Sequence, residues 1–231
     1  MSSSESVTKS LVDSAVAKSI LAGMPARARA TLVSGGAEVR LRSKAYFVRS
    51  GDPPRCALVV DGLVRTFRVA ADGRELTLHW ERVGEVAGLS AVVRPPTPSS
   101  IQAVTDAIVL ELPVPLLRDL ARTDAKVAWA ITEHMTALLR RAVDEIVLYA
   151  YGDLRTRVGR RLLEFACKTA PGTPLVARLT QDDLAQAVGA ARPSVGRVLK
   201  TLRDEGSIRS MYGGVLILRP DALASPRSEV A

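Results

Sequence analysis

The run from Asp124 to Tyr151 contains neither glycine nor proline, and this feature most restricts how the chain can fold. Such a run predicts one α-helix, about 42 Å long at the usual rise per residue. Apolar residues recur along it at alternating steps of three and four, which is the spacing of a coiled-coil seam. The predicted seam consists of Ala128, Ile131, Met135, Leu138, Ala142 and Tyr149.

A second apolar face runs beside the seam, at Leu139, Val143, Ile146 and Ala150. A helix with two apolar faces needs two surfaces to cover them. One alternative is a helix buried inside a single domain. We favour self-association, with the seam between two copies and the second face against the β-rich part of the chain. Gly152 suits the end of the helix and Asp153 the N-cap of the next one, so the domain boundary is expected there.

Before the helix, the pattern from about Val39 to Leu112 is that of short β-strands. Short alternating runs are separated by turn residues such as Asp61-Gly62 and Asp72-Gly73, where glycine supplies the positive φ of a tight turn. Regular short strands with such turns predict a sandwich or barrel. Ahead of them, about Val12 to Arg29 has helical spacing, and residues 1–11 are expected to form a flexible tail.

Several classes of protein are excluded by residue usage. Of the 231 residues only two are cysteines, Cys56 and Cys167, and they are not at metal-ligand spacing, which argues against iron–sulfur and structural zinc sites. The histidines, His79 and His134, form no metal-binding pair. No nucleophile elbow or phosphate-binding glycine loop is present, so we expect neither an enzyme nor a bound cofactor.

The chain contains no apolar run of the roughly 20 residues that a membrane span needs, and no basic segment followed by an apolar block at its start. We therefore expect a cytoplasmic protein without a membrane partner. The formal charge is +8, and residues 153–231 hold thirteen Lys and Arg against eight Asp and Glu. Most of the positive excess thus lies in the last third of the chain, as expected if that part binds a polyanion.

The most specific pattern lies between Leu179 and Ile208. Thr180, with Asp183 three residues later, predicts the capped start of a short helix. Its inner face would consist of Leu184, Ala187 and Val188.

Gly189 follows and allows a sharp turn into a second helix, from about Arg192 to Asp204. The small residue Ala185 lets the two helices approach, and the β-branched residue Val195 packs the second helix onto the first. This combination predicts a helix-turn-helix.

The opposite face of the second helix is basic, and Arg, Lys and Ser are residues that contact bases and phosphates. Two predicted strands with a Gly213-Gly214 turn follow and form a wing. The alternative is a helical hairpin with an ordinary solvated basic face. Since turn, packing, basic face and wing agree, we predict DNA binding through Gln181, Arg192, Ser194, Val195, Gly196, Arg197, Lys200, Arg209 and Tyr212.

The order of parts, and above all Leu58 to Gly88 and Gln181 to Leu202, resembles the cyclic-AMP receptor protein and fumarate–nitrate regulator (Crp/Fnr) family of bacterial transcription regulators. The resemblance implies a homodimer joined by the long helix, with recognition helices in successive major grooves about 34 Å apart. It also implies base contacts by Arg192 and Arg197 and a base or phosphate contact by Ser194. Pro193 stands where many members have a Glu that reads cytosine, so the preferred DNA site should differ from theirs.

The resemblance also identifies the segment from Gly84 to Ser100 as the place where relatives hold the ribose and phosphate of cyclic AMP. Here Leu89 replaces the ribose-binding Glu, and Thr97, Pro98 and Ser99 stand around the Arg-Ser pair that binds the phosphate. The two hydroxyl residues that reach adenine align with Ala142 and Val143. Ordinary activation by cyclic AMP is therefore not expected. The candidate pocket residues are Gly88, Leu89, Arg94, Thr97, Ser99, Ser100, Leu139, Ala142 and Val143.

These observations predict an α+β protein with four parts: a tail (residues 1–11), a β-roll of the jelly-roll, cyclic-nucleotide-binding type (12–123), a dimerisation helix (124–151) and a winged helix-turn-helix (152–231). The predicted function is that of a homodimeric transcription regulator that binds a palindromic operator in double-stranded DNA. RNA polymerase is a further candidate partner. The alternative is a ligand-binding module of the cyclic-nucleotide type that regulates a partner protein.

Overall fold

A computed structural model describes residues 3–73, 75–93, 98–168 and 174–224. The chain forms two compact units, residues 1–140 and 141–231. Among the described residues, no helix is both long enough and apolar enough to cross a membrane.

Three short helical segments begin the first unit: α1 (Ser3–Ala17), a 3₁₀ helix (Ile20–Gly23) and α2 (Ala26–Ser34). The helical stretch predicted from Val12 to Arg29 is thus interrupted twice. The Ser19 hydroxyl accepts the Leu21 N–H at 3.1 Å and starts the 3₁₀ helix, and Pro25, which has no N–H to donate, precedes α2. The flexible tail predicted over residues 1–11 is wrong, because α1 covers most of it.

The predicted β-region forms the described strands of the first unit, which make two four-stranded sheets. These strands are β1 (Ala37–Leu41), β2 (Tyr46–Val48), β3 (Cys56–Asp61), β4 (Val64–Val69), β5 (Glu75–Glu81), β6 (Val86–Ala87), β7 (Ser100–Ala103) and β8 (Ala107–Leu112). One sheet has the order β1-β8-β3-β6 and the other β2-β7-β4-β5, with antiparallel neighbours throughout. A short helix, α3 (Ser90–Val93), follows β6. The α+β prediction with a β-roll is confirmed.

The two sheets face each other across an apolar core. Alternate residues of each strand point inward, as the two-residue period of a strand requires. From one sheet come Val59 and Val109, and from the other Val64, Ile101 and Ala103, all buried. Burial also raises the pKa of the Cys56 thiol to about 12, so it stays protonated at neutral pH.

The outer face of the first sheet is covered by helices. They are α1, α2, α4 (Val114–Thr123) and the first turns of α5 (Ala125–Tyr151), which bury a second apolar cluster against β3 and β8. Ile131 is only 6% exposed in this cluster, and Met135 packs against it. The assignment of Ile131 to the interface between two copies is therefore corrected, because its side chain is covered by its own chain, whereas Met135 is only partly covered.

The long helix begins one residue after the predicted start and ends at the predicted residue, Tyr151. The Asp124 carboxylate caps its start by accepting the Lys126 N–H at 2.9 Å. The roles of its two apolar faces differ from the prediction. Leu139, Val143 and Ile146, expected to lie against the β-rich part, are 65%, 50% and 66% exposed. The seam supplies much of the packing within the chain, and the second face is open.

The second unit carries the predicted winged helix-turn-helix. Its elements are α6 (Leu154–Glu164), β9 (Ala166–Lys168), β10 (Leu175–Ala177), α7 (Gln181–Val188), α8 (Arg192–Asp204), β11 (Ile208–Met211), β12 (Gly214–Ile217) and α9 (Pro220–Ala224). The strands form one antiparallel sheet in the order β11-β12-β10-β9. The Asp153 carboxylate caps α6 by accepting the Thr156 N–H at 2.7 Å, as the sequence predicts.

The boundary between the two units differs from the expected one. It falls inside α5, after residue 140, and not at Gly152. The end of α5 belongs to the second unit because its side chains bond to α6 and α7. The Tyr149 hydroxyl donates to the Ala187 carbonyl at 2.9 Å, and the Arg161 guanidinium pairs with the Glu145 carboxylate.

Arg161 is the centre of this contact, which we call the α7 clamp (Glu145, Tyr149, Arg157, Arg161). Its guanidinium is nearly buried, pairs with Glu164 at 2.6 Å and donates to the Ala187 carbonyl at 3.2 Å. Arg157 donates to the Val188 carbonyl at 3.2 Å. Carbonyls in the last turn of a helix lack partners within the helix and attract cations, so both arginines stabilise the end of α7.

Arg161→Met should loosen the second unit, because it leaves Glu145 half-buried without its cation. Removing one member of a buried ion pair costs on the order of 3 kcal/mol, equivalent to roughly a hundredfold faster opening. We expect amide hydrogen exchange in α6 and α7 to accelerate by about that factor. Arg160→Met is the control, since the ion pair of Arg160 with Glu164 is exposed. Equal acceleration in both variants would contradict a special role for Arg161.

Candidate nucleic-acid interface

The first helix of the motif, α7, begins with a complete capping box. The Thr180 hydroxyl accepts the Asp183 N–H at 3.1 Å, and the Asp183 carboxylate accepts the Thr180 N–H at 3.0 Å. Two N–H groups that a helix start leaves without partners are thereby satisfied. The position of α7 along the chain is therefore set by these two residues, as the sequence predicts.

The turn after α7 depends on Gly189, whose φ of 61° and ψ of 39° lie in the left-handed region. A side chain at this position would be strained, whereas glycine adopts the conformation freely. The Ala190 N–H then bonds back to the Ala185 carbonyl at 3.0 Å. The chain can thus reverse within a few residues and start α8.

The inner faces of the two helices pack closely. Leu184, Ala185 and Val188 of α7 are buried, as are Val195, Leu199 and Leu202 of α8. The predicted roles of Ala185 as the small contact residue and Val195 as the packing residue agree with this burial. Val195 was also predicted to contact DNA, and that assignment is wrong: its side chain is completely buried and has no surface for a base or phosphate.

The outer face of α8 is exposed and basic. Arg192, Arg197 and Lys200 are exposed, and Ser194 and Gly196 are partly exposed beside them. The Arg197 guanidinium donates to the Ser194 hydroxyl at 3.1 Å, so the two side chains lie together. Arg192 forms an ion pair with Asp182 at 3.3 Å, and both side chains of that pair are largely exposed.

The Gln181 side chain lies next to this face, because a β-carbon placed on Gly196 would be 3.9 Å from the Gln181 amide oxygen. The structure therefore brings together Gln181 and the predicted residues of α8. Such a helix, with one face fully packed and the other bearing two arginines and a lysine, has the form of a recognition helix.

The wing supplies a second basic position. β11 and β12 pair from Ile208 to Ile217, and the hairpin exposes Tyr212 fully at its turn, with Arg209 also exposed nearby. Arg203, at the end of α8, donates to the Ser210 hydroxyl at 3.2 Å and links the recognition helix to the wing. Sequence reasoning missed this link, because nothing in the pattern relates residues seven positions apart in different elements.

Those candidate pocket residues of the first unit that the structure describes do not form one polar cluster. Leu89, predicted as a pocket candidate, is only 3% exposed and packs in the apolar cluster under the helices. The Ser100 hydroxyl accepts the Ser50 N–H at 3.0 Å, and Ser99 is half-buried. Arg94 and Thr97 lie outside the described residues.

The remaining pocket candidates, Gly88 and three residues of α5, differ in how far they are exposed. Gly88 is packed closely, since a β-carbon placed on it would lie only 3.3 Å from the Ile101 side chain and nearer still to the Arg55 carbonyl. On α5, Leu139 and Val143 are exposed and Ala142 is partly exposed. These apolar side chains offer no hydroxyl or charge to a nucleotide.

Comparison with known protein families agrees with this order of parts. Residues 38–124, which contain most of the β-roll, match the family described as the cyclic nucleotide-binding domain. Residues 156–225, which contain α7, α8 and the wing, match the family described as the Crp-like helix-turn-helix domain.

Among characterised proteins, the transcriptional regulator SdrP of Thermus thermophilus is 33% identical over 180 residues, which are 73% of this chain and 81% of that protein. The CRP-like cAMP-activated global transcriptional regulator of Mycobacterium tuberculosis is 27% identical over 188 residues, 79% of this chain and 84% of that protein.

Solved structures show the same architecture. A CRP/FNR-family transcriptional regulator from Thermus thermophilus is 29% identical and has a TM-score of 0.68, covering 83% of this chain and 100% of that one. FixK2 from Bradyrhizobium japonicum has a TM-score of 0.73 at 22% identity, covering 81% and 95%, which supports the fold. With a characterised relative one-third identical over most of both proteins and the two matched domains in the same order, the chain belongs to the Crp/Fnr family of transcription regulators.

Proposed function

We propose that the chain is a homodimeric transcription regulator that reads a palindromic DNA operator with α8 and does not use the usual cyclic-AMP contacts. The observation that carries the proposal is the exposed basic face of α8 on a helix whose inner face is completely packed. Arg192, Arg197 and Lys200 are exposed together on that face, and the contacts of Arg192 with Asp182 and of Arg197 with Ser194 lie at the surface.

Arg197 is the residue best suited to read a base. Its hydrogen bond to Ser194 restricts the guanidinium, and a restricted guanidinium loses less freedom when it makes paired bonds to guanine O6 and N7. Arg192 is held only by an exposed ion pair with Asp182, which contributes little energy and can be exchanged for a phosphate or base. Pro193 has no polar group on its side chain, so the operator should differ from those read by a Glu at that place.

The wing extends the contact to the DNA backbone. Arg209 and Tyr212 are exposed on it, and there a cation and a phenol can bind phosphate oxygens. The link between Arg203 and Ser210 holds the wing against α8, so both parts would approach the same duplex together.

The open apolar strip of α5 supports a dimer. Leu139, Val143, Ile146 and Val147 are each at least half exposed and recur at helical spacing. Contiguous apolar surface of this kind on a helix marks an interaction site, and a second copy of the same helix is complementary to it. Two copies of α8 would then read two half-sites, about 34 Å apart.

The effector chemistry also departs from that of the cyclic-AMP-activated relatives. Leu89 lies in the core, the Ser100 hydroxyl is bonded to the backbone, and the positions on α5 are Ala142 and Val143. A cyclic nucleotide would therefore lack a carboxylate for its ribose and hydroxyls for its base. These observations support a regulator that responds to another ligand or to none.

Selection of random duplexes by the purified protein would give the operator, and Arg197→Ala then tests the reading helix. We expect binding to the selected site to weaken by about 1–3 kcal/mol and the preference for one base pair to relax, because a paired contact to guanine is lost. Arg160→Ala, which removes an equal charge from α6, should leave the base preference unchanged. No enrichment of any duplex by the wild-type protein would favour the alternative of a ligand module for a partner protein.

Ile146→Glu tests the dimer. The wild-type protein should sediment at twice the 24.7 kDa of one chain, and the variant should dissociate, because two buried carboxylates would face each other across the strip. Ala137→Glu adds the same charge on the opposite, exposed side of α5 and should leave the dimer intact. An Ile146→Glu variant that remains dimeric at micromolar concentration would place the interface elsewhere.

Cyclic AMP at millimolar concentration should give no saturable heat in a calorimetric titration. Each charge-assisted hydrogen bond missing from the site removes about 1.5–3 kcal/mol of binding energy. The cAMP-activated relative from Mycobacterium tuberculosis, titrated in the same buffer, is the positive control. A micromolar binding isotherm for this chain would overturn the proposed loss of the nucleotide contacts.

A further inference from the structure

The last residue of β5, Glu81, has a buried carboxyl group. Its side chain is only 7% exposed, and β5 is the edge strand of the second sheet of the β-roll. Glu81 is paired across the ladder with Val64, which belongs to the apolar core between the sheets. A carboxyl group in such surroundings is rare, because removing it from water without compensation costs several kcal/mol.

The compensation is incomplete. The Thr66 hydroxyl donates to one carboxyl oxygen of Glu81 at 2.6 Å. The other oxygen, Oε2, is buried and makes no hydrogen bond within the described part of the chain. No ion pair with a Lys or Arg is formed by Glu81 among the described residues either, so one oxygen has the capacity to bind a donor.

The charged groups around Glu81 favour a cation over an anion. Glu85, in the turn after β5, adds a second negative charge, and burial together with this charge raises the pKa of Glu81 to about 8. Arg82 and Lys18, the cations at that turn, are exposed. Arg65, which follows Val64 on β4, points to the other face of the sheet, where it pairs with Glu75 at 2.5 Å.

The Thr66 hydroxyl that bonds to Glu81 lies on β4, which pairs with β7 on one side and with β5 on the other. Gly88 approaches the Ile101 side chain, Ile101 is paired with Thr66, and Thr66 is paired with His79. Thr66 and His79 are only partly buried. His79 lies on the edge strand, so a ligand bound beside His79 and Thr66 would lie next to the Glu81 carboxyl.

We propose that Glu81, with Thr66 and His79, forms a binding site for a small ligand that presents an amidine, guanidine or amine cation. When the cation takes the place of the Glu81 proton, one of its N–H groups supplies the partner that Oε2 lacks, and its charge balances that of the carboxylate. The proton that Glu81 carries in the free protein passes to the solvent when the cation binds. The site is independent of DNA, so its failure would leave the proposed operator binding untouched.

Benzamidine and agmatine are suitable probes, and benzamide is the uncharged counterpart of benzamidine. At pH 7 we expect both cations, but not benzamide, to raise the midpoint of thermal unfolding of the full-length protein. Calorimetry in two buffers of different ionisation heat should show release of close to one proton per ligand bound. No shift and no heat with either cation, or equal binding of benzamide, overturns the proposal.

Glu81→Gln removes the charge but keeps the shape and the acceptor for Thr66. It should weaken benzamidine binding by about ten- to a hundredfold, the loss expected for one charge-assisted hydrogen bond, and abolish proton release. Glu38→Gln, an exposed carboxylate on β1, is the control and should change neither. Unchanged affinity in Glu81→Gln would show that the cation binds elsewhere.

The same variant tests the buried carboxyl without any ligand. Because the folded-state pKa of Glu81 is raised to about 8, its favourable contribution is complete below the ordinary pKa near 4.5 and is lost as pH rises towards 8. The thermal midpoint of Glu81→Gln should therefore exceed that of the wild-type protein by a margin that grows between pH 5 and pH 8. If the difference in thermal midpoint stayed constant over this range, Glu81 would be solvated and the proposed binding site would be ruled out.

Discussion

A long helix without glycine or proline has to cover apolar side chains on more than one side, and this requirement shapes both units of the protein. The first turns of α5 bury Val127, Ala130 and Ile131 under the β-roll. The last turns hold α6 and α7 through the α7 clamp. Between and beside these contacts a strip from Leu139 to Val147 stays open. The helix can therefore serve both units and still keep surface for a second chain.

The recognition helix, α8, also buries one face, and this leaves its basic face exposed. Val195, Leu199 and Leu202 are used completely in contacts with α7 and the rest of the unit. Arg192, Arg197 and Lys200 lie on the other side of the helix and project into solvent. Gly189 makes the turn that sets the angle of α8, and the α7 clamp holds the carbonyls immediately before that turn. The position of the basic face of α8 and the stability of the second unit thus depend on the same contacts at the end of α7.

The β-roll has the fold of a cyclic nucleotide-binding domain but not the residues that the resemblance associates with cyclic AMP. The fold is that of a cyclic nucleotide-binding domain, yet Leu89 belongs to the core and Ser100 is bonded to the backbone at Ser50. One of the described polar groups without a full set of partners lies elsewhere, at Glu81 on the edge strand. The cation site proposed there would take ligands opposite in charge to a cyclic phosphate.

Local patterns in the sequence determined the β-rich region from about Val39 to Leu112, the extent of α5, the capping box at Thr180 and the glycine turn at Gly189. Each of these depends on spacing or backbone conformation within a few residues, which a pattern records directly. Only the tertiary structure decided which apolar face of α5 is covered, that Val195 is buried, and that Arg161 joins α5 to α7. It also decided that Glu81, in a strand of mixed polar and apolar residues, faces the core. Burial depends on residues distant along the chain, and periodicity within one element does not contain that information.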